Sequence, residues 1–165
     1  MAFWNKKKKD ITPKISVSDI LNQKGGQDAI IDIDNLLTPI FYSNPEMLSE
    51  EEKIIVFIEE LEREINDGGF NQFFFNSAGD YYSEILSALK QIGSVKFYNL
   101  LQRSSKPFPN ESVPTDRNKR QEILEQMEDK ANELWYDLDL EFYKYEEDIY
   151  ELQINFINNN IEKFR

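Results

Sequence analysis

The segment NDGGFNQFFFNSAGD, residues 66–80, sets two adjacent glycines against four phenylalanines. Glycine readily adopts the left-handed conformation that ends a helix, so Gly68 or Gly69 is predicted to end the preceding helix. The phenylalanines predict a short helical turn that packs into the core. Asn76, Ser77 and Asp80 are expected to bond to free backbone donors where the next helix begins. The segment therefore predicts a helix junction.

A catalytic or small-ligand site in the same segment is the alternative. Carboxylates in different environments can act as acid and base, and neighbouring amides can orient a ligand. The glycine pair lacks the spacing and the Lys-Ser/Thr of a phosphate-binding loop. An enzyme or ligand-binding function requires five side chains to converge on one open pocket: Asn71, Gln72, Asn76, Asp80 and Glu84.

Helical periodicity extends on both sides of this segment. Ser49 and Glu52 form a capping box that opens a helix through about Asn66. In that helix Glu59 and Glu62, like Glu52, are expected to lie opposite the apolar face.

Earlier in the chain, two helices are predicted on either side of Gly25-Gly26, and the second is expected to bend or stop near Pro39. After the phenylalanines, Asp80 is expected to cap a helix that stops at Gly93, and Ser94 to cap the next one.

From about Asp116 onward the pattern predicts two long helices with a break near residues 137–142. We find no alternating strand pattern and no internal repeat. The fold class predicted is all-α, a single-domain bundle of about six to eight helices. Residues 1–14, which contain the Lys6–Lys9 run, are predicted to be a flexible basic arm, and residues 15–165 a single helical domain.

Composition excludes several kinds of site. The chain has no cysteine and no histidine, which excludes Cys/His zinc sites, Ser-His-Asp triads and disulfides. We therefore expect no enzyme activity, no cofactor and no metal. The longest uninterrupted apolar run is Ile54 to Ile58, far too short for a membrane span, and no secretory signal is evident. A cytoplasmic location without membrane contact is expected.

The charge pattern points to a basic partner. The net charge is −12, and setting aside the four lysines of the arm leaves about −16 for the rest. Such a surface repels nucleic acid and attracts basic proteins. Eight acidic residues on the outward faces of the last two long helices are predicted to contact the partner: Glu122, Glu125, Asp129, Glu133, Asp137, Glu147, Asp148 and Glu151.

Charge density sets a requirement for imitating DNA. Duplex DNA carries one charge per ~1.7 Å, whereas carboxylates spaced four residues apart on a helix give one per ~6 Å. Three or four acidic faces must therefore align. The sequence offers three, in residues 50–64, 122–137 and 147–162.

The segment at residues 66–80, with its flanks LEREI and YYSEILSALKQIG, resembles a bacterial family of all-helical DNA-mimic proteins. The similarity extends over about residues 45–165. The matching motif comprises Asn66, Gly68, Gly69, Phe70, Gln72, Phe73, Phe74, Asn76, Ser77, Gly79, Asp80, Ile92 and Gly93. The resemblance implies an acidic homodimer that occupies the DNA-binding surface of a transcriptional regulator.

Two function hypotheses besides the enzyme remain. The first is a non-enzymatic acidic protein, a DNA mimic that binds a basic DNA-binding protein and not nucleic acid itself. The second is an immunity-type inhibitor of a toxin. Charge alone does not separate them, because the toxin partner can also be a basic nuclease.

Overall fold

The structure is a computed structural model that describes residues 15–165, except for the side chains of residues 128–130. The described chain is helical without strands, which confirms the predicted all-α class. Seven α-helices follow one another: α1 Val17–Gln23, α2 Gly26–Ser43, α3 Glu50–Phe75, α4 Tyr82–Gln91, α5 Val95–Ser104, α6 Arg117–Phe142 and α7 Ile149–Asn159. Short 3-10 turns lie at Pro45–Met47, Ser77–Tyr81, Pro109–Glu111 and Ile161–Lys163. The predicted basic arm, residues 1–14, lies outside the described residues.

Helix α3 occupies the centre of the fold because it carries apolar residues on two sides. Ile54 and Ile58 belong to a core shared with α4, α5 and α6. Ile55 and Val56 belong to a second core, built with α1, α2 and Ile157 of α7. Few surfaces of α3 are therefore left for solvent.

The prediction of a solvent-facing acidic side on α3 is wrong. Glu52, Glu59 and Glu62 are buried, as is Glu60. The reason is that chain segments cover α3 on both sides and supply partners for the carboxylates. Arg165 donates from Nε to Oε1 of Glu52 at 2.8 Å, and burial would raise the pKa of that carboxyl, but the hydrogen bonds from Arg165 and Ser49 hold it below its usual value. The predicted capping box between Ser49 and Glu52 is present.

The glycine pair breaks the helical backbone where the sequence predicted a helix end, and α3 continues beyond this kink to Phe75. Gly69 has φ +73°, a left-handed conformation that L side chains avoid. The break frees the backbone N–H of Phe70, which donates to Oδ1 of Asp139 on α6 at 2.9 Å. A Cβ on Gly69 would collide with that same carboxylate. At the kink, the Asp139 carboxylate of α6 is thus hydrogen-bonded to the backbone of α3.

Beyond the kink, three of the four phenylalanines fill the larger core. Phe70, Phe73 and Phe74 are fully buried, whereas Phe75 is half exposed. The ring of Phe74 lies 5.2 Å from the ring of Trp135 on α6, centroid to centroid. Aromatic pairs of this kind add about 0.5–1.5 kcal/mol beyond the area they bury. The predicted burial of this helical turn is confirmed.

The end of the segment binds a buried arginine of α6, Arg120, which has no exposed surface. Its Nε donates to the Phe74 carbonyl at 2.5 Å, and one terminal nitrogen donates to the Asn76 carbonyl at 2.8 Å and to Oδ1 of Asp80 at 2.6 Å. The other terminal nitrogen donates to the Pro114 carbonyl at 2.7 Å. A Cβ on Gly79 would lie 2.8 Å from Nε of Arg120, so only glycine leaves room for the guanidinium.

The prediction that Asp80 caps the following helix is therefore wrong. Helix α4 begins at Tyr82 without a side-chain cap, because the Asp80 carboxylate is bound to Arg120 and to Arg117. Asn76 and Ser77 make no side-chain cap for the 3-10 turn that they open either. The Asn76 amide instead donates to Glu64 at 2.9 Å.

Other helix boundaries were predicted with mixed success. Gly93 has φ +80° just past α4, as expected. Helix α2 continues through Pro39 to Ser43, so the proline does not stop it. The break predicted at residues 137–142 is also wrong, since α6 runs on to Phe142. Leu138 and Phe142 are buried there, and this packing keeps the segment helical. The chain instead turns between α6 and α7.

No helix in the described part of the chain combines the length and the apolarity that a bilayer crossing requires.

Replacing Arg120 with methionine is expected to lower the free energy of unfolding by roughly 3–5 kcal/mol, since Asp80 and three backbone carbonyls lose their buried donor. Replacing Arg117 with methionine is the matched control: it touches the same Asp80 but its side chain is 44% exposed, so a loss of about 0–1 kcal/mol is expected. Urea unfolding monitored by circular dichroism measures both. Equal losses in the two variants would contradict the assigned role of Arg120.

Candidate binding surface

The exposed side of α6 carries a row of carboxylates. Glu122, Glu125, Glu133 and Asp137 are all exposed, and at 100° per residue they fall within an arc of about 120° on one face. None of the four forms an ion pair with a described residue. We call these four residues the α6 row. It extends about 22 Å along the helix axis.

Asp129 falls on the same face by its position in the helix, but its side chain lies outside those described. The remaining predicted contact residues lie after α6. Glu147 is in the turn before α7, Asp148 is the N-cap of α7 and Glu151 is in its first turn. The structure therefore divides the eight residues into a row on α6 and a group at the start of α7.

Two residues of the second group stabilise helix ends. Glu147 accepts hydrogen bonds from the backbone N–H groups of Val95 and Lys96, at 3.1 and 3.2 Å, and from the Ser94 hydroxyl at 2.6 Å. Ser94 was predicted to cap α5 with its own side chain, and this is wrong because Glu147 does so. Asp148 accepts from the backbone N–H of Glu151 at 2.9 Å. Both carboxylates thus have local partners, unlike those of the α6 row.

The α6 row continues into apolar side chains at its C-terminal end. Tyr136, Leu140 and Tyr143 are 65%, 47% and 46% exposed, and their spacing of four and three residues places them on the face that carries the carboxylates. The sequence analysis did not identify this patch. Its signal was present, since these three residues break the polar pattern of an otherwise outward face.

The polar residues proposed for an enzyme site do not gather around one ligand. The Asn71 amide donates to Asn132 at 3.0 Å, the Gln72 and Asn76 amides both donate to Glu64, and Asp80 binds arginines. Four of the five are therefore engaged in separate structural contacts, and the fifth, Glu84, is exposed on α4. Among the described residues, no group of three or more carboxylates is arranged to hold a metal ion.

A buried polar cluster between α3 and α7 was also missed by sequence. Gln153 is fully buried and donates to Glu59 at 2.8 Å. Burial, reinforced by the neighbouring Glu62, raises the pKa of Glu59 to about 8. Burial likewise raises the pKa of Glu62, although hydrogen bonds from Tyr150 and Tyr145 oppose the effect. No sequence signal indicated this cluster, because Glu59 and Glu62 were predicted to lie on the outward face of their helix.

Comparison with known proteins addresses the resemblance seen in the sequence. The model of the family described as DMP19-like protein matches residues 46–160. The chain belongs to the DMP19-like family. The match includes the whole Gly68–Asp80 motif, the kinked α3 and the α6 row, and it confirms the resemblance to a DNA-mimic family. No match was found among curated proteins or among solved structures.

In this DMP19-like chain, residues of the Gly68–Asp80 motif hold contacts between helices. Gly69, Gly79 and Asp80 hold the contacts of α3 with Asp139 and Arg120. These residues specify how the helices assemble and not what the outer face of α6 binds. The motif that identifies the family is thus separate from the α6 row.

The pH dependence of stability tests the buried cluster. Because the folded pKa of Glu59 is about 8, above its unfolded value of about 4.5, the folded state holds the proton more tightly. Its contribution to stability is complete below about pH 4.5 and is lost as the pH rises toward 8. Glu59→Gln mimics the protonated side chain, so between pH 5 and 8 its unfolding free energy should fall by roughly 2–5 kcal/mol less than that of the wild type.

The control is Glu84→Gln, which removes an exposed carboxylate on α4 and should leave the wild-type slope unchanged. Urea unfolding at a series of pH values gives the slopes. Identical slopes for Glu59→Gln and wild type would show that Glu59 titrates normally in the folded protein.

Proposed function

We propose that this protein is a non-enzymatic DNA mimic whose α6 row binds the DNA-contacting surface of a basic protein. The observation that carries the proposal is the α6 row itself, because its exposed carboxylates lack ion-pair partners among the described residues. Membership of the DMP19-like family supports the same function. The net charge of −12 supports it further, since such a surface accelerates encounter with a basic partner.

The distribution of carboxylates shapes the proposal. The four carboxylates of the α6 row span about 22 Å, which gives one charge per ~7 Å, against one per ~1.7 Å of duplex DNA. The carboxylates of residues 50–64 do not add an aligned face, because most of them are buried. A single chain therefore presents one row, and a homodimer with two α6 rows side by side would come closer to the charge of DNA.

The apolar end of the face gives the contact a second component. A regulator's DNA-binding surface combines lysine and arginine with side chains that contact bases and sugars. Tyr136 and Tyr143 supply aromatic surface for arginine stacking, and Leu140 supplies apolar area. We propose that this end adds affinity that salt does not screen.

The polar residues of the Gly68–Asp80 motif support a non-enzymatic function. Their side chains bond to Asn132, Glu64 and arginines, so they hold helices together instead of facing a substrate. The immunity-type function uses the same acidic face, and the identity of the captured partner decides between the two.

Capture from the native cell lysate at low salt tests this function. The wild type should retain a basic nucleic-acid-binding protein and release it when duplex DNA or about 0.5 M salt is added. A variant with Glu122, Glu125 and Glu133 changed to Gln and Asp137 to Asn should retain at least about fourfold less, because four exposed charge pairs together contribute about 0.8–4 kcal/mol.

The control variant carries the same net charge but keeps the α6 row. It replaces four exposed acids elsewhere: Asp28 with Asn, and Glu84, Glu111 and Glu162 with Gln. Retention should stay within about twofold of the wild type. If both variants lose the partner equally, overall charge and not the α6 row is responsible. A captured nuclease toxin in place of a regulator would favour the immunity-type function.

A further inference from the structure

A cleft of about 580 Å³ opens between α2, α3 and the start of α7, away from the α6 row. We call it the tyrosine cleft, and its walls are Gln27, Asn66, Tyr145, Glu147, Asp148 and Tyr150. Within residues 66–80, Asn66 is the residue that lines it. Its chemistry is unusual because every charged wall residue is acidic.

A buried carboxylate, that of Glu62, lies behind the two tyrosines that form the floor of the cleft. The hydroxyls of Tyr145 and Tyr150 both donate to Oε1 of Glu62, the former at 2.7 Å. Glu62 is only 5% exposed, and its Oε2 has no hydrogen-bond partner among the described residues. A buried carboxylate with an unpaired oxygen is costly unless positive charge lies nearby. Because both hydroxyl protons are bonded to Glu62, the two tyrosine oxygens offer only acceptor lone pairs to the cleft.

Amide orientation makes the rim an acceptor surface. The Asn66 amide nitrogen donates to the Tyr145 hydroxyl, and the Gln27 amide nitrogen donates to the Tyr150 hydroxyl, each at 2.9 Å. These bonds turn the two amide NH₂ groups toward the floor and leave the carbonyl oxygens as acceptors. Each tyrosine hydroxyl already donates to Glu62. Each amide keeps one further N–H, so the polar side chains of the cleft offer more acceptors than donors: two amide oxygens, two hydroxyl oxygens and two carboxylates against two amide protons.

The wall also presents aromatic carbon. The rings of Tyr145 and Tyr150 are stacked, with centroids 6.1 Å apart and planes 16° from parallel. A ligand for such a cleft needs several N–H donors, positive charge and a face that packs on an aromatic ring. Guanidinium and alkylammonium groups have these properties, whereas phosphates and carboxylates would be repelled.

We propose that the tyrosine cleft binds an organic cation, a guanidinium or primary ammonium group, held over Glu62 by Tyr145 and Tyr150. This site goes beyond the proposed function and does not depend on it. The same cation chemistry is available from a free small amine and from an arginine or lysine side chain of a protein.

A ligand pair of equal shape tests the site. The ¹⁵N-labelled full-length protein is titrated with ethylguanidinium and, separately, with neutral ethylurea, and amide chemical shifts are followed by NMR. Ethylguanidinium should cause saturable shifts centred on Asn66, Tyr145 and Tyr150, and ethylurea should bind at least tenfold more weakly. Equal binding of both compounds, or no saturable shift, would overturn the proposal.

Variants locate the effect in the cleft. Gln27→Lys places a tethered ammonium at the exposed rim and should weaken ethylguanidinium binding at least tenfold. Gln91→Lys makes the same charge change on the exposed end of α4 and should leave it unchanged. Glu62→Gln should weaken binding at least tenfold as well, and Gln27→Lys keeps the test decisive if that buried substitution prevents folding. Loss of binding in Gln91→Lys to the same extent would overturn the site.

Two further titrations ask whether the cation comes from a protein side chain or a free amine, and whether its binding is independent of the α6 row. Tighter binding of a Gly-Arg-Gly peptide than of ethylguanidinium supports a protein side chain as the ligand, and tighter binding of ethylguanidinium supports a free amine. The variant lacking the four carboxylates of the α6 row should bind ethylguanidinium as the wild type does. If its binding is lost together with partner capture, the cation is condensing on the acidic surface and the proposal fails.

Discussion

The buried guanidinium of Arg120 is the interaction on which the arrangement of helices depends. It comes from α6 and is bound by the carbonyls of Phe74 and Asn76 and by the Asp80 carboxylate. A buried charge of this kind is tolerated only when it is paired and fully hydrogen-bonded. The end of α3, the following 3-10 turn and the start of α6 must therefore keep fixed positions. The orientation of the exposed face of α6 is therefore fixed as well.

This interaction gives a conspicuous motif a structural role. Gly79 leaves room for Arg120, Asp80 neutralises it, and Gly69 allows the backbone of Phe70 to reach Asp139. The family model matches a region that contains all of these residues. We propose that a different surface recognises the partner, so that function could vary among proteins that share the motif.

Local patterns in the sequence were sufficient for the helix class, the Ser49 capping box and the left-handed Gly69 and Gly93, because these depend on near neighbours in the chain. Contacts between distant residues were not predictable. Asp80 fits a helix cap by its position, but Arg120, forty residues later, binds it. Ser94 fits a cap as well, but Glu147 replaces it. For the same reason the glutamates of α3 were assigned to solvent: a helical wheel shows one apolar face, and only the fold shows that α2 and α7 cover the other side. The outward position of the α6 row was predictable because no other described segment covers these four side chains.

The central claim is that partner recognition belongs to the exposed face of α6 and not to the Gly68–Asp80 motif. Carboxyl footprinting tests it most directly: the protein, alone and with its captured partner, is labelled at exposed carboxylates with a water-soluble carbodiimide and analysed by mass spectrometry. Labelling of Glu122, Glu125, Glu133 and Asp137 should fall severalfold in the complex, while labelling of Glu84 on α4 stays constant. Unchanged labelling of the α6 row together with protection of Glu84 would contradict the account.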